Sequence, residues 1–299
     1  MVVAVLFGVL APIALTSCAA SAGAGASALE GDAQARLVDE IRTLPGVSGV
    51  EVEGGLDGGA GDDATTDDEP RSTTVIVASD ADRDDVLDAA ERIPEIAMEV
   101  GWGDRITLVS ASVSSVVDDY SPTRLWSLVL SPMDAEAPPA RTAVDGLLAA
   151  SVIEGVTGLT VVDGWPSASF ASLDDIGPGY DALRQLPLFE DGGSYRVLSE
   201  QPSLRVTEVP GLTSTLLVHE LIALALEYPG SEILLEGPEW PKLYIAHVPG
   251  EDAAAIQARL SLPALADGSD PGLGTLSFQV TSVGPDGSGY LDGEVGSGV

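Results

Sequence analysis

RLVDEIRTLPGVSGVEVEGG (residues 36–55), VDGLLAASVIEGVTGLTVVDGW (144–165) and HELIALALEYPGSEILLEG (219–237) can be laid over one another, and this alignment decides the fold. In the first, Leu37, Ile41 and Leu44 recur at helical spacing, and Pro45-Gly46 stops the helix. Val50 and Val52 then alternate with Glu51 and Glu53, the pattern of a strand with one wet face. The pairs Val50/Val52, Leu159/Val161 and Ile233/Leu235 fall in the same place in the three copies, and Leu217, Leu221, Leu224 and Tyr228 form the helix face of the third. Such self-similarity marks a repeated supersecondary unit.

Working outward, a second strand is expected over 73–78. A helix capped near Asp80 follows, with Val86, Ala90, Ile93 and Ala97 on one face, and then a strand around 106–113. Extra strands at 124–130 and 203–209 precede copies two and three and complete a β-α-β-β-α-β order. The expected fold is therefore α+β, with two to three tandem ferredoxin-like (β)αββαβ units. They occupy 31–118 (with an acidic insertion at 54–71), 122–200 and 201–284, and a Gly/Asp/Ser-rich flexible tail fills 285–299. The first copy is similar to the heavy-metal-associated domain in its order of helix, LPGV turn, strand, strand and helix. It lacks that family's paired cysteines, so the resemblance implies topology and no copper chemistry.

The N-terminus resembles a bacterial lipoprotein signal. An apolar run over residues 2–15, too short to span a bilayer, ends in Leu15-Thr16-Ser17-Cys18, which is similar to the lipobox. The resemblance implies removal of residues 1–17 and lipidation of the Cys18 thiol. Residues 18–30 would then be a flexible tether, and the folded part would sit at the extracytoplasmic face of a cell membrane. Cys18 is the only cysteine, so no disulfide framework is available. Lys242 is the single lysine among 13 basic residues, a usage that resembles GC-rich genomes of the actinobacterial kind.

Composition and motifs exclude more than they nominate. Hydrophobic residues make up 45% of the 299, enough for a sizeable core, while 47 acids against 13 basic residues give a net charge of -34. That field repels phosphate backbones and argues against nucleic acid. The acids Asp57, Asp62, Asp63, Asp67, Asp68 and Glu69 lack the fixed spacing of a calcium loop and read as a solvated excursion. His219-Glu220 opens HELIA, but the position of a second zinc histidine is Ala223. His219 is expected off the apolar stripe and solvated. His247 follows Leu243 and Ile245 in strand parity and is expected at the core edge. No GxSxG, SxxK or phosphate loop is present. Asp118-Asp119 and Asp174-Asp175 are sequence neighbours that point apart, so no glycosidase pair emerges.

No cofactor, metal site or catalytic residue is expected. The sharpest binding candidates are Trp165 and Trp240, each followed by proline at matching hairpins; their indoles either stack on a partner or fold back over their own sheet. Trp102 and Trp126 match no repeat position and read as packing residues. The expectation is a non-catalytic envelope lipoprotein that binds an unidentified envelope protein or ligand. A solute-binding lipoprotein of a transporter and an envelope hydrolase using paired carboxylates are the alternatives.

Overall fold

The computed structural model describes residues 22–53, 72–111, 125–133, 139–197, 204–237, 241–284 and 287–298. The elements are α1 (Ala22–Ile41), β1 (Val47–Glu53), β2 (Ser72–Val77), α2 (Arg83–Val100), β3 (Ile106–Ser110), β4 (Trp126–Leu130), α3 (Ala140–Ala150), β5 (Val156–Val162) and β6 (Trp165–Phe170). There follow α4 (Leu173–Leu183), β7 (Ser194–Val197), β8 (Leu204–Thr207), α5 (Thr215–Glu227), β9 (Glu232–Leu235), β10 (Lys242–Pro249), α6 (Ala253–Leu260), β11 (Ser277–Gly284) and β12 (Gly287–Glu294). No helix among the described residues is long and apolar enough to cross a membrane.

Local chemistry sets the boundaries. Ser172 caps α4 by accepting from the Asp175 amide at 3.3 Å, and Ser214 caps α5 by accepting from the Leu217 amide at 3.0 Å. Asp163 and Gly164 join β5 to β6 with φ of 49° and 79°, as the two positive-φ positions of a type I′ hairpin require.

The alternation of helices and strand pairs is that expected from the sequence, but the strands pair differently from a split βαβ unit. All twelve lie in one mixed sheet in chain order, from β1 to β12. Each hairpin pair is antiparallel, and each of α2 to α6 joins two strands that are direct parallel neighbours, as α5 joins β8 to β9. In a split unit a further strand lies between them. The structural repeat is thus αββ, half the length of the repeat seen in the sequence. The sheet runs without interruption across 118–122 and 200–201, where β3 pairs with β4 and β7 with β8.

The core lies on one side of this sheet. Leu159, Ala168, Tyr195, Val206, Leu235, Leu243 and Phe278 are successive cross-strand partners, all buried in one cluster with the apolar faces of the helices. Strand direction reverses from one β-α-β crossover to the next, while the helix face and the direction of travel stay constant. Successive crossovers therefore have opposite hand, so at least two of the five oppose the strong right-handed preference.

Three further expectations are corrected. The C-terminal stretch is a strand rather than a flexible tail: β12 pairs with β11 from Ser277↔Glu294 to Gly284↔Gly287, and Val295 is buried behind it. The helix α1 begins at Ala22, inside the stretch read as a tether, because alanine favours the helix it was expected to loosen. His247 does not line the core edge. A register shift between Ile245 and Val248 inverts the side-chain parity, so Val248 turns inward and His247, at φ 63°, is exposed. Trp102 and Trp126 are buried, as packing residues are.

Candidate binding face

Because the described helices pack on one side, the opposite parity of each strand carries no helix among the described residues and is called here the open face, although Val109 on it is only 2% exposed. One line across it runs Ser127, Thr160, Ser167, Ser194, Thr207, all half-buried cross-strand partners. Ser127 Oγ donates to Thr160 Oγ1 at 3.2 Å, and Ser194 Oγ lies 3.0 Å from Thr207 Oγ1. A parallel line two residues away runs Ser169, Arg196, Arg205, Leu234, Tyr244, Gln279, Asp292.

The two arginines are direct partners across the antiparallel β7–β8 pair, and both are exposed. Arg196 Nε donates to Ser169 Oγ at 2.8 Å, and Ser169 is itself only 3% exposed. Partial desolvation of its guanidinium at the Ser169 contact, and after it the neighbouring Arg205 charge, holds the otherwise exposed Arg196 below its ordinary pKa. Elsewhere Arg83, Arg92, Arg105, Arg141, Arg184 and Arg259 all meet carboxylates. On the same face the Lys242 ammonium lies 4.9 Å from the centre of the Tyr244 ring.

Trp165 opens β6 on this face. It is half-buried, and its indole N–H donates to Ser194 Oγ at 3.0 Å, so the ring lies over β7 beside the hydroxyl line. Trp240, Cys18 and the acidic insertion at 54–71 lie outside the described residues. The motif search passed over Arg196 and Arg205. Their signal is the outward parity of the basic residue in SYRV (194–197) and LRVT (204–207), which becomes a pair only once the register is known.

Beneath this face, on the helix side, lies a buried polar cluster. The Glu208 carboxylate, 5% exposed, accepts from Tyr180 Oη at 2.8 Å and from Tyr195 Oη at 3.0 Å, with Arg184 Nη1 at 3.8 Å. The phenol rings meet edge-on at 4.9 Å. Burial first, and then the Glu208 charge, pushes both phenols well above their ordinary pKa. His219 bridges α5 to α4 through Asp181 at 3.0 Å, with its ring edge-on to Tyr180. This cluster ties α4, α5, β7 and the end of β8 together and is closed to substrate. No group of three metal-ligating side chains occurs among the described residues.

No family model, curated protein or solved structure matches the chain, so no enzyme family is found for it.

Proposed function

We propose that this chain is a non-catalytic binding module held by lipid on Cys18 at the extracytoplasmic face of a cell membrane. Its open sheet face receives another component of the envelope. One observation carries the reading: the described helices cover a single side of a twelve-stranded sheet, and the other side presents a line of hydroxyls beside the exposed Arg196 and Arg205. A broad repeated surface suits binding a partner better than enclosing a reacting group. The lipobox similarity at Leu15–Cys18 supports the anchor.

The test is in-cell photo-crosslinking from two positions, Thr160 on the open face and Gln257 on the helix side. Capture of one envelope component from Thr160 alone is expected. Capture from Gln257 alone refutes the assignment of the face. Cys18→Ser, with mass spectrometry of the mature N-terminus, should release the protein from the membrane fraction. An unlipidated wild-type N-terminus refutes the anchor.

A further inference from the structure

His247 sits inside β10 with φ of 63°, a left-handed conformation that glycine adopts without cost and most side chains avoid. Its exposed imidazole makes no hydrogen bond or ion pair among the described residues, so the fold gains nothing from keeping a side chain there. Backbone strain of this kind gathers at ligand sites, and bulges serve to re-aim side chains.

The register shows what surrounds it. Between Ile245 and Val248, β10 carries two residues where β11 has only Thr281, and Thr281 pairs with Tyr290 of β12. Two residues along, Tyr244, Gln279 and Asp292 are cross-strand partners on the same face. Tyr290 is 67% exposed and Tyr244 37%, and the Lys242 ammonium braces the Tyr244 ring from 4.9 Å. Two strand spacings and two residues of rise put the two tyrosines roughly 12 Å apart. The Gln279 amide and the Asp292 carboxylate make no hydrogen bond among the described residues; Asp292 accepts from Gln257 through its backbone oxygen.

On a sheet face the backbone is already paired with neighbouring strands, so a ligand meets side chains alone. Raised rings offer stacking faces, and a free amide and carboxylate accept from hydroxyls. A net charge of -34 repels anionic polymers, while a polycation would spread over the whole acidic surface rather than select this patch. The chemistry that fits is a chain of uncharged sugar rings, with C–H faces for the tyrosines and hydroxyl edges for Gln279 and Asp292.

We propose that Tyr244, His247 and Tyr290 form a platform for a neutral polysaccharide, engaging at least two of its rings because one ring cannot reach both tyrosines. This names a ligand class for the open face and rests on the preceding reading in taking that face as the presented surface.

The experiment titrates the full chain in detergent, by calorimetry, with cellotetraose, chitotetraose, mannotetraose and maltotetraose, and with tetra-arginine as the charge control. Saturable binding of at least one tetrasaccharide is expected, with its monosaccharide about tenfold weaker or more. Tyr290→Ala should weaken binding about fivefold or more, and Tyr290→Phe, which keeps the ring, should stay within about twofold. Leu216→Ala, an exposed residue of α5 on the helix side, should change nothing. His247→Gly should weaken binding while raising the melting temperature, a combination that a purely structural role for His247 would not give.

No binding of any tetrasaccharide, equal affinity for the monosaccharide, or binding indifferent to Tyr290→Ala overturns the inference. Tetra-arginine binding without sugar binding overturns it too, in favour of unspecific charge. If the platform fails while Thr160 still captures its component, the broader reading stands without it. Sugar binding without any capture from Thr160 keeps the platform and overturns the broader reading.

Discussion

Replacing Glu208 with alanine removes the acceptor of two phenol hydroxyls whose tyrosines are 0% and 1% exposed. A hydrogen bond to a charged acceptor contributes about 1.5–3 kcal/mol, and a buried donor left without a partner carries its full desolvation cost. Arg184 is 25% exposed and also donates to the Phe189 and Glu190 carbonyls, so its re-solvation adds little. The expected destabilisation is about 3–5 kcal/mol, the range for removing one member of a buried charged network. Tyr195→Phe should cost about 1.5–2 kcal/mol, because Glu208 keeps Tyr180 and Arg184. Urea unfolding of Glu208→Ala, Tyr195→Phe and the double variant gives the coupling, with amide exchange of β6–β8 as the local reporter. A coupling of about 1.5–3 kcal/mol is expected. A value under about 0.5 kcal/mol would refute the reasoning, since the two groups would then be additive despite their 3.0 Å contact.

Three other perturbations follow from the same packing. A Cβ at Gly179 would lie 2.2 Å from Phe170 Cε1, so Gly179→Ala should cost roughly 1–3 kcal/mol by thermal melt, and Phe170→Leu should relieve part of it; no relief would place the strain elsewhere. The raised phenols bind protons more tightly folded than unfolded, so their stabilisation is intact below the unfolded pKa of about 10. It is lost as pH rises toward the folded values, by up to about 1.4 kcal/mol per unit for each tyrosine. Absorbance at tyrosinate wavelengths should show two phenols silent until unfolding, and their titration in the intact fold contradicts the argument. Removing residues 285–299 uncovers the β11 edge along Ser277–Gly284, so aggregation should rise while amide protection of β1–β8 persists. A uniform loss of protection would show instead that the sheet opens as one unit.

The elements were legible in the sequence because their periodicities are local. Leu37 and Ile41 are fully buried, and Val50 pairs with Val75 over the core, as the alternation around them requires. The pairing was not legible, because whether a second crossover steps back or onward depends on strands outside the repeat. The aligned copies correspond to α1, α3 and α5 with the strand after each. The intervening helices hid the shorter period: α2 runs 18 residues with Pro94 inside it, α4 contains Pro178 between two glycines, and α6 has only 8 residues. At the candidate site, Trp165 was visible as a hairpin residue, whereas Arg196 and Arg205 become a pair only through the β7–β8 register. His247 was misplaced by a one-residue shift, which is enough to turn every later side chain on a strand to the other face.

The sequential order of twelve strands has a geometric consequence for what can dock. Neighbouring strands are rotated by about 20–25°, so the eleven steps from β1 to β12 accumulate roughly 220–275°. The normal to the open face therefore sweeps through more than half a revolution at that average twist, leaving its two ends about 85–140° apart. A flat partner such as a bilayer plane can touch only a few adjacent strands at once. A flexible linear polymer can instead wind along the spiral, meeting the hydroxyl line and the arginines in succession.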